Sequence, residues 1–327
     1  MADTTVTLAT YNLVLTGSSS CLSILGGIVI FYTYYKLQAI RNFTRTLLVY
    51  LTLADVLVSV GHLIAVIRYS CVYSGTPKTE NCTANKTTEY EAICIGQSVL
   101  TTFSSLASFL WTSVIAIHIW SSVVIKTHKT EAHYMHVIYH VVCWFTPLII
   151  VSILLHKDYL GEDYCYGTGV WCGIKSNLPQ GEIEKWMYIA DIGWQLACYL
   201  FTCFLYIHLK FYLKLHRRPI KLKSITDKLR NEDVNFVAVW MVIYLLRLWG
   251  FARFFITTYS DQNTLQQHNM SRFLNFLLIM QSYGDSGQGF WNFILFCVFD
   301  KPVRRYLNTW LFRNSEEPER RRLLRDT

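Results

Sequence analysis

Read for the spacing of apolar and polar positions, the chain breaks into long apolar runs joined by short polar connections. Seven runs approach the roughly 20 residues that a helix needs to cross the hydrocarbon core of a bilayer. They lie at about 12–35, 46–68, 94–125, 136–155, 186–212, 234–259 and 271–298. The third is too long for a perpendicular crossing, so it is expected to tilt or to extend beyond the membrane. No connection is large enough to be a separate domain. The pattern therefore predicts an all-α membrane protein, a single seven-transmembrane helix bundle over residues 1–327. A short amphipathic helix follows the seventh run within 299–327, because "DKPVRRYLNTWLF" places Tyr306, Leu307, Trp310 and Leu311 on one side.

Polar residues inside the runs recur at helical spacing. In the seventh, Gln281, Asp285, Gln288 and Asn292 follow an i, i+4, i+7, i+11 rhythm, which is one face of a helix. The third repeats the device with Gln97, Thr101, Ser104, Ser108 and Thr112, and the fifth with Asp191, Gln195, Cys198 and Thr202. Small polar residues also serve simply to join helices, at about 0.6 kcal/mol each. The charges ask for more. "VAVWMVIYLLRLWGFARFFITTY" carries Arg247 and Arg253, and an arginine at the centre of a spanning helix costs about 2.5 to 3.5 kcal/mol on insertion scales unless it faces a partner or water. Asp55, Asp191 and Asp285 are the acids available to them. By depth, Asp285 is the expected partner of Arg247, with Asp55 as its rival, and the pair is either structural or a switch. Arg253 either faces the interior or turns towards the membrane surface.

Composition agrees with a membrane protein. Of the 327 residues, 52% are hydrophobic and 16% charged, against about 25% charged in soluble domains. The net charge of +8 does not mark a nucleic-acid binder, because the basic residues are segregated. Connections 36–45, 126–135, 210–233 and 299–327 hold 21 of the 30 lysines and arginines. By the positive-inside rule they are cytoplasmic, which puts the N-terminus outside and the C-terminus inside. The opening residues lack a basic flank and a cleavage site, so the first run is expected to be a retained signal-anchor. The sequons at Asn81 and Asn85 fall on the outer side, as do Cys71, Cys82, Cys94, Cys165 and Cys172. "NFT" at Asn42 falls inside, and "NMS" at Asn269 lies close to the membrane.

Several strings carry a family resemblance. "LTLADVL" is similar to the pattern around the mid-membrane aspartate of many G-protein-coupled receptors. "SFLWTSVIAI", "HVVCWFTPLII", "VWCGI", "LRLWGFARF" and "GDSGQGFWNFILF" resemble the cyclic-AMP-receptor-like family. The resemblance implies a disulfide between Cys94 and Cys172, a helix 6 that moves on activation, and residence in the plasma membrane or the ciliary membrane. It leaves Cys71, Cys82 and Cys165 unassigned. The acidic-Arg-aromatic and Asn-Pro-x-x-Tyr motifs of rhodopsin-like receptors are absent: the third run ends "IHIWSSVVIKTHK" and the seventh contains no proline. Gly250, Gly284, Gly287 and Gly289 are candidate bending or close-packing points in its place.

These observations point to a receptor that passes an extracellular signal to a heterotrimeric G protein. Gln97, Thr101, Asp191, Gln195, Trp249 and Arg253 are the candidate ligand pocket, and Lys126, Lys214, Arg217, Arg218, Lys221 and Lys223 the candidate G-protein face. The same basic segment suits anionic lipid, at about 1 kcal/mol per residue. Asp55, Arg247, Gln281, Asp285, Gln288 and Asn292 form the candidate intramembrane network. An ion or solute transporter or channel is the alternative, since buried acids and arginines also mark ion paths, but no internal repeat supports it. No enzyme, metal or cofactor is expected: His62 and His118 are isolated, and no HExxH or paired-cysteine spacing occurs. The extracellular ligand is not named by any of these residues. Glycosidase-shift mapping tests the orientation. Asn81→Gln and Asn85→Gln should each remove a glycan, whereas a glycan on Asn42 alone would reverse the topology.

Overall fold

The computed structural model describes residues 2–38, 41–73, 88–125, 133–163, 170–215, 244–260, 267–300 and 303–309. The described helices are α1 (Ala2–Lys36), α2 (Phe43–Tyr73) and α3 (Thr88–Trp120, closing in a π turn, Ser121–Ile125). They continue with α4 (His133–His156), α5 (Gln180–Met187, a π turn at Tyr188–Ile192, then Gly193–Leu215) and α6 (244–259). The last are α7 (His268–Ser286, then Gln288–Val298) and α8 (303–309). Between α4 and α5, β1 (Leu160–Gly161) pairs antiparallel with β2 (Gly173–Ile174).

Five of these helices, α1 to α5, are long and apolar enough to cross a membrane. Each overlaps one of the first five expected runs, and α1 and α5 start earlier, at Ala2 and Gln180. The sixth run is described only from residue 244. Asn81, Asn85, Cys82, Cys165, Lys126, Arg217, Arg218, Lys221, Lys223, Trp310 and Leu311 lie outside the described residues.

The outer face of the bundle is apolar, and polar residues share the interior with the apolar core. On α5 the outward stripe is Leu200, Phe204, Ile207 and Phe211, each more than 60% exposed, while Gln195 and Thr202 are buried. On α1, Leu25 and Ile28 face out whereas Ser19, Ser20 and Ser23 face in. Hydrocarbon offers no hydrophobic drive between helices, so association rests on close packing and internal hydrogen bonds. α1 packs on both α2 and α7, and α3 packs on α2, α4 and α5, so the described helices close around a shared interior. Trp111, fully buried, anchors one end, with Tyr50 at 5.0 Å, His140 at 5.1 Å and Trp144 at 6.0 Å between ring centroids.

Two backbone features shape the interior. In α4 a π turn, Val141–Phe145, runs directly into Pro147, whose missing N–H would otherwise break the helical ladder. In α7 the expected continuous helix is interrupted at Gly287. There a serine from α1 enters the ladder: Ser23 Oγ donates to the Ser286 carbonyl at 2.7 Å and accepts from the Phe290 N–H at 3.2 Å. One hydroxyl thus replaces an i→i−4 bond, and the freed groups are satisfied away from water. Small residues permit the approach. A Cβ on Gly289 would sit 2.9 Å from the Ser23 carbonyl oxygen, and one on Gly284 would collide with the Leu246 carbonyl of α6.

At the opposite end from the β hairpin, Arg45 of α2 forms an ion pair with Asp300 and donates to the Phe296 carbonyl at 3.1 Å. Asp300 in turn accepts from the Val303 N–H at 3.1 Å, capping α8. Asn42 caps α2 by accepting from the Arg45 N–H at 2.8 Å.

Ser23 is testable against its neighbour Ser20, which is equally buried but whose Oγ has no hydrogen-bond partner. Ser23→Ala should lower the stability of the purified chain by about 1 to 3 kcal/mol, because the Phe290 N–H is left unsatisfied. Ser20→Ala should change thermal stability little, and equal losses for the two would rule out the bridging role.

Candidate functional site

Two sites lie in the interior, stacked along the bundle. The first is a cavity of about 160 Å³ at the hairpin end, walled by α2, α3, α5, α6, α7 and the loop between α4 and α5. A disulfide between Cys94 and Cys172, with 5.6 Å between Cα atoms, ties that loop to α3. Gln97 reinforces the tie by accepting the Cys172 N–H at 2.7 Å. A nearly fully buried ion pair between Arg68 and Glu162 fixes the same loop to α2, and the two charges stabilise one another only while both stay in place. Trp171 then packs on His62 at 4.7 Å between ring centroids.

The cavity wall carries five charged side chains: Asp163 of the loop, Asp191 of α5, Arg247 and Arg253 of α6, and Asp285 of α7. Thr101 and Gln195 also line it. Two other candidate pocket residues stand elsewhere. Gln97 is 1% exposed and occupied by the Cys172 backbone, and Trp249 sits edge-on to Phe276 at 5.9 Å, off the cavity wall. Of the two alternatives for Arg253, the structure takes the interior one: Nη1 donates to Gln281 Oε1 at 3.3 Å.

The second site is a buried hydrogen-bonded cluster next along the bundle. Asp55 of α2 is fully buried, and both of its oxygens are engaged. Oδ1 accepts from Ser108 Oγ of α3 at 2.6 Å, and Oδ2 from Asn292 Nδ2 of α7 at 2.6 Å. Ser59 Oγ, one turn along α2, reaches the Ser286 carbonyl at 3.1 Å, and Ser19 of α1 bonds the Ser286 hydroxyl.

Arg247 joins the two sites. It lines the cavity, yet its Nη2 donates to Gln288 Oε1 at 3.1 Å and its guanidinium lies 4.4 Å from the centroid of Phe109. The expected ion pair with Asp285 is not made, nor is one with Asp55. The interruption at Gly287 lies between the two α7 residues. Asp285 precedes it and faces the cavity, whereas Gln288 follows it and presents its amide to Arg247. The aromatic face of Phe109 supplies further stabilisation, worth about 2 kcal/mol when desolvated.

The helical rhythm had placed Gln281, Asp285, Gln288 and Asn292 on one face; the structure divides them, the first two at the cavity and the last two at the cluster. Spacing did not reveal Ser19, Ser23, Ser286 and Phe109, nor the Arg68–Glu162 pair. The triple serine in "TGSSSCLS" was the signal available for the first two. Of the candidate G-protein face, Lys214 is the one described residue, and it is exposed at the far end of α5. Among the described residues no group of three or more metal-ligating side chains occurs.

The family model for the slime mold cyclic AMP receptor matches residues 3–315 of the chain. The chain belongs to this family. A relative named G-protein coupled receptor 157, from Mus musculus, is 24% identical over 298 residues, covering 88% of this chain and 82% of its own. G-protein coupled receptor 1 of Arabidopsis thaliana is 27% identical over 239 residues, covering 72% and 64%. Cyclic AMP receptor-like protein B of Dictyostelium discoideum is 23% identical over 210 residues, covering 63% and 42%. A cyclic AMP receptor family is a family of receptors rather than enzymes, and its apolar helices make this chain a multi-pass membrane protein.

A double-mutant cycle tests the joint. Arg247→Ala and Gln288→Ala, measured by thermal unfolding of the purified chain, should show a coupling of about 1 kcal/mol or more. Arg247→Ala with Asn292→Ala should be closer to additive. Additivity in the first pair would mean that the hydrogen bond carries no energy.

Proposed function

We propose that this chain is a seven-transmembrane receptor, a single domain with its N-terminus outside and its C-terminus inside, that activates a heterotrimeric G protein when an extracellular ligand enters the cavity. The observation that carries the reading is the double position of Arg247. One side chain lines the cavity and also bonds the α7 segment that holds the buried cluster. A ligand that changes the charge balance at the wall changes the strength of that bond, and with it the relation of α6 to α7. Only a difference in affinity between the two arrangements is required.

Three further features support the reading. The disulfide fits an oxidising, extracellular side. The basic connection between α5 and α6, with Lys214, Arg217, Arg218, Lys221 and Lys223, gives the opposite side a surface for a G protein and for anionic lipid. Relatives across animals and plants are named G-protein coupled receptors. At rest α6 is held to α5 by Tyr244, whose hydroxyl bonds Thr202 and donates to the Tyr199 carbonyl at 3.1 Å, and outward movement of α6 has to break these contacts.

Co-expression with a panel of G-protein activation sensors tests the proposal. At least one G-protein class should give a signal above untransfected cells. Replacing Lys214, Arg217, Arg218, Lys221 and Lys223 together by glutamate should abolish it without loss of surface expression. Ion or solute flux in sealed vesicles with no sensor response would favour a transporter and overturn the reading.

A further inference from the structure

The charges on the cavity wall are not equally engaged. Arg247 donates from Nη2 to Gln288 and lies over Phe109, though its Nε has no hydrogen-bond partner among the described residues, and Arg253 donates to Gln281. On Asp191, Oδ1 is buried and has no hydrogen-bond partner among the described residues. On α2, His62 is 5% exposed, its ring rests on Trp171, and its Nδ1 is likewise buried without a partner. Both residues line the cavity. A carboxylate oxygen only accepts hydrogen bonds, and leaving a buried charged acceptor unmet is costly. The unmet need of the Asp191 carboxylate is therefore for a donor.

We propose that the cavity binds a small molecule bearing an ammonium group, with Asp191 as its counter-ion and His62 as a second polar contact. A ligand bearing only anionic groups would bring acceptors to an acceptor, on a wall where three carboxylates outnumber two guanidiniums. An ammonium supplies up to three N–H donors to an acceptor that lacks one. At about 160 Å³ the cavity is smaller than the roughly 300 to 1,000 Å³ of drug-sized pockets, which limits the ligand to a small amine or amino-acid-like molecule. Trp171, Phe251 and Phe254 offer its apolar part an aromatic wall and the ammonium a cation–π surface. The inference rests on the receptor reading for the cavity's role and goes beyond it in naming the ligand class.

The test uses one skeleton with three head groups. Tyramine, 3-(4-hydroxyphenyl)propionate and 4-ethylphenol, together with butylamine, butyrate and cyclic AMP, are added to the purified full chain, and the melting temperature is recorded. Ligand binding to the folded state raises it by mass action. The two amines should raise it; the carboxylates, the neutral phenol and cyclic AMP should not. Asp191→Asn should weaken the amine by roughly tenfold or more, the loss of one charge-assisted hydrogen bond. Ser152→Ala, on the exposed face of α4 and away from the cavity, should leave its affinity unchanged. A carboxylate or cyclic AMP shift as large as the amine's, undiminished amine affinity in Asp191→Asn, or no amine shift at about 10 mM would each overturn the proposal. If Asp191→Asn does not fold, the ranking of head groups on the unaltered chain decides. No G protein takes part in the binding measurement. Amine binding with silent sensors would count against the receptor reading alone, and sensors answering only ligands without an ammonium would count against this inference alone.

Discussion

Gln288 and Asn292 lie one helical turn apart on the final segment of α7, and through their amides two ionisable groups on other helices are accommodated. Asn292 donates to Asp55 of α2, and Gln288 accepts from Arg247 of α6. Few positions in the described bundle are more constrained. Each charged group would cost several kcal/mol unmet in a medium without water, and each is met by a neutral amide from the same short segment. A direct ion pair would demand close to ideal geometry to offset the desolvation of both charges. Amides relax that demand, because either partner can shift without stranding an opposite charge.

The rest of the interior follows from placing that segment. Gln288 reaches Arg247, and Asn292 reaches Asp55, from the α7 segment that follows the interruption at Gly287. At the interruption Ser23 of α1 takes up both loose ends of the ladder. Ser19, Ser59 and Ser286 extend the same set of bonds across α1, α2 and α7. Glycines 26 and 289 allow α1 and α7 to come close enough: a Cβ on Gly26 would lie 2.8 Å from that of Phe293. The serines and glycines of α1 are thus as much a part of the buried cluster as the charged residues they surround.

How much of this was legible beforehand depended on range. Helix positions follow from runs of apolar residues, a local signal that a bilayer makes strong, and α1 to α5 fall where the runs predicted. That Asp55, Arg247, Gln288 and Asn292 belong to the interior was also legible, because charge and amides have few other places in such a helix. Which of them meet was not. Period 3.6 assumes an unbroken helix, and the break at Gly287 divides Asp285 from Gln288 although the two share a face on paper. Phe109 gave no sign of its part, since an aromatic in a spanning helix is unremarkable until a guanidinium lies over it. The loop contacts of Arg68 and Glu162 are 94 residues apart in the chain, and no pattern of spacing connects them.

On the receptor reading proposed above, the arrangement also bounds how strongly the cavity can act on the rest of the bundle. Arg247 is the described side chain that both faces the cavity and bonds α7 beyond the break. A hydrogen bond from a charged donor contributes about 1.5 to 3 kcal/mol. Loosening that one bond therefore biases an equilibrium between two arrangements by roughly ten- to a hundredfold, at about 1.4 kcal/mol per factor of ten. At the upper end of that range, such a bias turns a minor state of a few per cent into the dominant one. It requires no displacement of Asp55, whose two hydrogen bonds keep the α2, α3 and α7 side of the bundle fixed while α6 changes position. The division of labour between the two acids follows: Asp55 is fully bonded and holds the frame, whereas the carboxylates at the cavity sit where their charge can be matched from outside.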